Sequence, residues 1–496
     1  MSNLSSWKKA LGIILLCAAA TIAAPAQMFT TLVNFGQYGN GPYAPYRMTF
    51  IQGVDGNLYG TTESGPVDGR NEGTVFEVTP TGTVTTTYSF CSKYNCSDGD
   101  LPYASLVLAT DGNFYGTTYA GGVNRPGCGY GCGTVFRLNP QDILKRVYSF
   151  CALPNCTDGY QPETGLVQGA DRSLYGTTAY GGNSNCSGYG CGTIFKITPD
   201  GSLTTLYRFC TQTNCTDGVV PLAGLIQGTD GDFYGTTNGG GTTENCCGTV
   251  FKITPGGKLA MLHRFDGSDG SYPYAGLVQA SDGNFYGTTF DGGQNVSCAG
   301  GCGTVFKMTA NGALTTLYSF CAQSGCADGA QPTAGLIQAT DGNFYGTTSG
   351  GGNLCSCGTV FQITSAGTLT TLHSFELTDG GIPLGGLIQA TSGDFYGTTS
   401  VDGAADGGTI FTVGMGLGPF VSFVRNPAKI GQVFGILGQG FTGTTSISLN
   451  GTPASFTVKS DTLIEATVPA GATTGYVTVT TPSGTLTSNV PFHVLP

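Results

Sequence analysis

Apolar and polar residues alternate with a period of two along most of the chain, in short runs broken by glycine. One stretch reads Gly335-Leu-Ile-Gln-Ala339, then Thr340-Asp341-Gly342, then Asn343-Phe-Tyr-Gly-Thr-Thr348. Another reads Gly303-Thr-Val-Phe-Lys-Met-Thr309, turns through Ala310-Asn311-Gly312, and continues as Ala313-Leu-Thr-Thr-Leu-Tyr-Ser-Phe320. Asp-Gly and Asn-Gly between β-branched and aromatic runs signal tight hairpins, because these residues tolerate positive φ. Each unit therefore predicts two hairpins, or four antiparallel strands.

The unit recurs seven times. Its Tyr-Gly-Thr-Thr phrase places tyrosine at Tyr59, Tyr115, Tyr175, Tyr234, Tyr286, Tyr345 and Tyr396, and Gly-Thr-Val/Ile-Phe starts at Gly73, Gly133, Gly192, Gly248, Gly303, Gly358 and Gly408. Seven four-stranded units with a period of about 56 residues predict an all-β, seven-bladed β-propeller over residues 28–413. Phe29–Phe35 is a lone copy of strand four, and the last repeat lacks one. The N-terminus is thus expected to complete the last blade, a 3 + 1 closure that removes an exposed edge; an open solenoid is the alternative. The two tight turns fall on one face and the two long loops on the other. The seven tyrosines are expected in the core between blades. Gln52, Gln168, Gln227, Gln279, Gln338 and Gln389 recur in strand one. They are expected either to bond neighbouring backbone or to line the central channel.

Beyond a Gly-rich linker at 414–418 the period stops. Residues 419–496 show short alternating strands, among them Val433–Leu437, Ser446–Leu449 and Tyr476–Thr480. They predict a small immunoglobulin-like β-sandwich.

Glycine contributes 83 of 496 residues, and charged residues only 10%. That composition disfavours a helical bundle, while 40% hydrophobic residues disfavour disorder. A net charge of −11 makes a nucleic-acid backbone an unsuitable partner. Lys8-Lys9, the apolar Leu11–Ala20 and Ala24-Pro25-Ala26 read as a signal peptide over 1–26, too short to span a membrane stably. No second apolar span follows, so no membrane span is expected after cleavage. Removal would take the net charge to −13 and discard Trp7, the single tryptophan.

Of 19 cysteines, 18 remain after loss of Cys17, as suits an oxidising compartment. All fall in or beside the long loops. Local pairing is the simplest expectation: Cys91 with Cys96, Cys128 with Cys132, Cys151 with Cys156, Cys186 with Cys191, Cys210 with Cys215, Cys298 with Cys302, and Cys321 with Cys326. The adjacent Cys246-Cys247 and the tight Cys355-x-Cys357 are left open. Zinc is the rival reading, disfavoured by the absence of nearby His and of Cys-x-x-Cys spacing.

Asp98, Asp158, Asp217, Asp269, Asp328 and Asp379 each open Asp-Gly-x-x-Pro. Turn capping is the expected role. A Ca²⁺ ring is the alternative, but one carboxylate per loop falls short of six or more oxygens. His263 and His373 fill a slot held elsewhere by Tyr88, Tyr148, Tyr207 and Tyr318. No nucleophile–base–orienter set is visible, and no catalytic residue and no cofactor are expected. A glycan site would rest on loop tyrosines: Tyr94, Tyr130, Tyr160, Tyr180 and Tyr189.

The units resemble the GloVer tandem repeats of secreted bacterial proteins, and more distantly the streptogramin-lyase-type propellers. The latter resemblance implies a functional histidine and metal, and no histidine here matches. Gly438-Gln439-Gly440-Phe441, Asn450-Gly451-Thr452-Pro453-Ala454, Ser460-Asp461-Thr462-Leu463-Ile464, Val468-Pro469-Ala470 and Val479-Thr480-Thr481-Pro482-Ser483-Gly484 resemble an IPT/TIG domain. In extracellular proteins that resemblance implies a spacer or contact module. The expectation is a secreted or cell-envelope, non-enzymatic binding or scaffold protein, holding a glycan or an extracellular protein on its cysteine-rich loop face. An extracellular lyase or hydrolase acting on a polysaccharide or cyclic peptide, and a surface-layer component, are the alternatives.

Overall fold

The computed structural model describes residues 27–36, 43, 45–65, 72–122, 128–182, 186, 188–241, 247–353, 355–424 and 426–495. The export segment 1–26 and Cys246 lie outside the described residues.

Among the described residues, seven four-stranded antiparallel sheets follow one another along the chain. The first is Ile51–Gln52, Leu58–Thr62, Thr74–Val78 and Val84–Ser89, paired in that order. The seventh has only three strands of its own: Ile388–Gln389, Phe395–Thr399 and Thr409–Gly414. Met28–Asn34 supplies its fourth, running antiparallel from Met28↔Gly414 to Asn34↔Thr409. Strand one is shorter than the sequence pattern predicts, two residues rather than five. Just before it, a Cβ on Gly276 would stand 2.9 Å from the Gly224 carbonyl oxygen. There the chain packs on the neighbouring repeat instead of on its own strand two.

Each recurring phrase has a physical job. In Tyr-Gly-Thr-Thr the tyrosine packs between sheets, and in five of the seven repeats it lies against a phenylalanine of the next repeat. Tyr175 lies 3.9 Å from Phe233, Tyr286 4.0 Å from Phe344 and Tyr234 4.2 Å from Phe285, centroid to centroid. Such pairs contribute about 0.5–1.5 kcal/mol each beyond area burial. The hydroxyl reaches back to the hairpin aspartate, as from Tyr115 to Asp111 at 2.8 Å. The glycine makes room for the phenylalanine opposite: a Cβ on Gly116 would meet Phe136 Cζ at 2.5 Å. The first threonine donates to the next repeat, Thr117 Oγ1 to Thr164 O at 2.8 Å. The second meets the threonine of Gly-Thr-Val-Phe across the sheet, Thr118 Oγ1 and Thr134 Oγ1 being 2.8 Å apart.

The strand-one glutamines join the sheets rather than line a channel. Gln227 Oε1 accepts from Ala170 N of the preceding repeat at 3.0 Å, while its Nε2 donates to Gly231 O in its own turn at 2.8 Å. Gln168, Gln279, Gln338 and Gln389 repeat the arrangement. Gln52 makes it across the ends of the array: Thr391 N donates to its Oε1 at 3.1 Å, and its Nε2 reaches Thr391 Oγ1 at 3.2 Å. Leu108 holds the equivalent position in the second sheet.

Residues 419–495 form two further four-stranded sheets around Phe434, Ile436, Ile447, Leu449, Ile464, Val477, Val479 and Phe492. This module packs on the tight turns. Thr462 Oγ1 donates to Val54 O, and Phe420 N to Thr391 O at 3.1 Å. Asp171, Asp230, Lys429 and Gln432 share one crevice between the two parts, and Ser281, Gln338, Phe420 and Tyr476 another. The long-loop face lies on the opposite side. No helix of the described residues is long and apolar enough to cross a membrane.

Gln52→Leu keeps the side-chain bulk and removes the hydrogen bonds at the seam. It is expected to destabilise the protein by about 1–3 kcal/mol, read as a lower melting temperature. An unchanged melting temperature would show that the seam does not depend on Gln52.

Candidate functional site

The long loops are shaped by their own side chains. Asp98 Oδ2 accepts from the Tyr88 hydroxyl at 2.7 Å and from Ser92 N at 3.1 Å, and its Oδ1 from Lys93 N at 3.3 Å. Asp158, Asp217 and Asp328 make the same set with Tyr148, Tyr207 and Tyr318. In the two Asp-Gly loops without cysteine, histidine takes the place of tyrosine. His263 Nε2 lies 2.7 Å from Asp269 Oδ2, and His373 Nε2 2.9 Å from Asp379 Oδ2. Burial pushes the His373 imidazole below its usual value, outweighing Asp379. These six carboxylates are engaged by their own loops.

Disulfides join Cys91–Cys96, Cys128–Cys132, Cys151–Cys156, Cys186–Cys191, Cys210–Cys215, Cys298–Cys302, Cys321–Cys326 and also Cys355–Cys357, a pairing the sequence left open. The structure adds a relation between them. The sulfurs of Cys186, Cys191, Cys210 and Cys215 lie within 4.8 Å of one another, as do those of Cys298, Cys302, Cys321 and Cys326. One pair precedes strand three and the other follows strand four. Because these strands form an antiparallel hairpin, the pairs must meet. Sulfurs bound to each other offer no thiolate to a metal.

Of the rings that precede strand three, two carry a tyrosine: Tyr130 inside Cys128–Cys132, and Tyr189 inside Cys186–Cys191. The rings at Cys298–Cys302 and Cys355–Cys357 hold only small residues. The second and third repeats thus differ from the rest. Between their loops lies a cleft of about 520 Å³ lined by Leu101, Tyr119, Tyr130, Gln161, Tyr180 and Tyr189. Tyr130 and Tyr189 stand on its rim, 86% and 62% exposed. Tyr180 stacks on Tyr160, with centroids 5.6 Å apart and planes at 27°, and lies 6.4 Å from Tyr189. Burial pushes the hydroxyls of Tyr119 and Tyr160 up to about 12, so both are neutral donors at neutral pH.

Of the loop tyrosines singled out in the sequence, the cleft brings together Tyr130, Tyr180 and Tyr189. Tyr160 is buried behind Tyr180. Tyr94 stands alone on its turn, 88% exposed and outside the cleft. Tyr119, Leu101 and Gln161 were not singled out. For Tyr119 the signal is the variable slot after Gly-Thr-Thr, held elsewhere by Glu63, Ala179, Asn238, Phe290, Ser349 and Ser400; Leu101 and Gln161 carry no such signal, and glutamine recurs at Gln331.

Acidic groups on this face are perturbed. Burial raises Glu63 and Glu163, against the pull of Tyr103 and Arg47 respectively. Burial, then the charge of Glu72, push Asp100 up to about 6. Asp100 Oδ1 is buried without a hydrogen-bond partner. A carboxyl raised on folding penalises the folded state when ionised, so the penalty is complete above pH 6 and disappears below about pH 4. Asp100→Asn is therefore expected to raise stability at pH 8 by about 1–2 kcal/mol and to leave it unchanged at pH 4. Melting temperatures across that range check this; a variant no more stable at pH 8 contradicts it.

No curated protein matches the sequence. Among solved structures, a fungal alcohol oxidase of the AA5 family in complex with copper is 12% identical at a TM-score of 0.47, covering 93% of this chain and 100% of its own. A structural-genomics protein from Bacteroides thetaiotaomicron is 14% identical at 0.40, covering 78% and 76%. A luciferin-regenerating enzyme is 12% identical at 0.37, covering 79% and 97%. Likenesses at these scores carry no argument about activity. The Gloeobacter/Verrucomicrobia repeat model, by contrast, matches residues 19–185, 102–298 and 224–480 in tandem. These overlapping matches run from residue 19 to 480 and take in the whole repeat array, and the chain belongs to the Gloeobacter/Verrucomicrobia repeat family.

Proposed function

We propose that this is a secreted or cell-envelope binding protein without catalytic activity, which holds a glycan on its long-loop face. In this reading residues 28–413 are a seven-bladed propeller closed 3 + 1 by the N-terminal strand. Residues 1–26 are a signal peptide, and 419–496 an immunoglobulin-like module of the IPT/TIG type that covers the opposite face. Eight disulfides among the described residues fit an oxidising, extracellular setting.

The aromatic cleft between the second and third repeats carries the reading. Pyranose rings have apolar C–H faces and hydroxyl edges. Tyrosine pairs a flat apolar ring with a polar tip, and loses little entropy when it binds. Tyr130 and Tyr189 supply exposed faces, each fixed at the apex of a disulfide ring. Tyr119, Tyr180 and Gln161 supply hydrogen-bonding groups below them.

The raised carboxyls of Glu63, Glu163 and Asp100 favour a second reading, an extracellular lyase or hydrolase acting on the same ligand. Polymer length before and after incubation separates the two.

Titration of the mature, oxidised protein with a panel of neutral oligosaccharides is expected to raise the melting temperature with at least one of them. A ligand at 100 times its Kd adds about 2.7 kcal/mol. Tyr130→Ala/Tyr189→Ala is expected to weaken that ligand at least tenfold with the unliganded melting temperature unchanged, since both side chains are exposed. No shift with any glycan contradicts the reading. Shortened chains would replace binding by catalysis.

A further inference from the structure

A second cavity, of about 320 Å³, is lined by residues from all seven repeats and so sits where the sheets converge. The residue after each loop proline frames much of it: Glu163, Leu222, Tyr274, Thr333 and Leu384. The following residue is small in most repeats, as in Ala104, Ala223 and Ala275, but in the first repeat it is Arg47. Arg47 reaches across to two other repeats. Its Nη1 lies 3.4 Å from Glu163 Oε2, and its Cζ 4.7 Å from the centre of the Tyr274 ring. Tyr46 flanks it at 5.4 Å. The Arg47 Nε is buried with no hydrogen-bond partner, although an arginine carries five donors in a fixed fork.

We propose that this cavity mouth, built by Arg47, Glu163 and Tyr274, is a subsite for the terminal sugar of a neutral glycan chain. The inference rests on the glycan reading of the neighbouring cleft and deepens it. Three features set the ligand class. Arg47 donates and Glu163 accepts, which suits adjacent hydroxyls, since each hydroxyl does both. An anion would face the Glu163 carboxylate, and a cation the Arg47 guanidinium. The flanking tyrosine rings offer apolar faces to a pyranose.

Two features set the position along the glycan. Tyr46, Tyr103 and Tyr119 follow one another at 4.9 and 5.1 Å. Tyr119 also lines the cleft, so an aromatic track runs from Arg47 to Tyr130 and Tyr189. At the far end of the ring, the C-terminal module packs on the tight turns. With that module on the tight-turn side, a chain entering from the loop face is expected to be held by its end.

Calorimetric titration of the mature protein with cellohexaose, xylohexaose, laminarihexaose, maltohexaose and chitohexaose tests this. A hexasaccharide bound by the wild type is expected to bind at least tenfold more weakly to Glu163→Gln and to Arg47→Gln. Arg47→Lys should recover part of the loss, and it serves in place of Arg47→Gln should that variant not fold. Opening the reducing-end ring with borohydride, or methylating the opposite terminal ring, supplies a second readout. One of these two changes is expected to cost the wild type a similar factor and Glu163→Gln nothing. Wild-type affinity in the Arg47 and Glu163 variants, with loss in Tyr130→Ala/Tyr189→Ala, overturns the subsite and leaves the cleft standing. Failure of all five hexasaccharides to bind the wild type overturns both.

Discussion

The pairing of Met28–Asn34 with Thr409–Gly414 joins the two ends of the repeat array, and the rest of the molecule depends on it. A four-stranded sheet of this kind buries both faces only against neighbours. In a linear stack the first and last sheets would each leave one face of aromatic side chains in water. Joining the ends removes both exposed faces and the open strand edge together. The same seam carries Gln52 to Thr391 and Thr49 to Gly386, contacts that repeat those found between the other sheets. Closure also brings seven copies of one loop to a common centre, which no single repeat could do.

Pseudo-symmetry then sets where function can lie. The positions the repeats share are consumed by the fold: tyrosine by stacking, threonine by bonds within and between sheets, glutamine by the clamp, aspartate by the loop. What remains for binding is where a repeat departs from its siblings. The second and third repeats depart in aromatic residues, with Tyr119, Tyr130, Tyr180 and Tyr189 on adjoining loops. The first departs at Arg47. The C-terminal module takes the tight-turn face and leaves the loop face open to partners.

Much of the fold was legible because hairpin chemistry is local. Asp-Gly and Asn-Gly turns, strand alternation and the orphan strand at Phe29–Phe35 announce seven four-stranded units and the joining of their ends. Strand one is shorter than its alternation implies, since it is limited by approach to the neighbouring repeat, which alternation does not encode. The site was legible only in part. Tyr130, Tyr180 and Tyr189 stand out as loop aromatics. Tyr94 looks the same in sequence and lies elsewhere, while Tyr160 is behind the cleft. Arg47 and Glu163 are more than a hundred residues apart and meet only through closure, so no local pattern links them. The meeting of two cysteine pairs is not legible in sequence, because the pairs lie on separate loops at the two ends of a hairpin.

In the proposed reading one face of the ring binds ligand, and the other face and the appended module do not. Hydrogen exchange of the mature protein, with and without a bound oligosaccharide, tests it most directly. Ligand-induced protection is expected to be confined to the long-loop segments 45–49, 101–103, 119–122, 128–130, 161–166, 180–182 and 188–191. Protection centred instead on the tight turns or on residues 419–495 would contradict it.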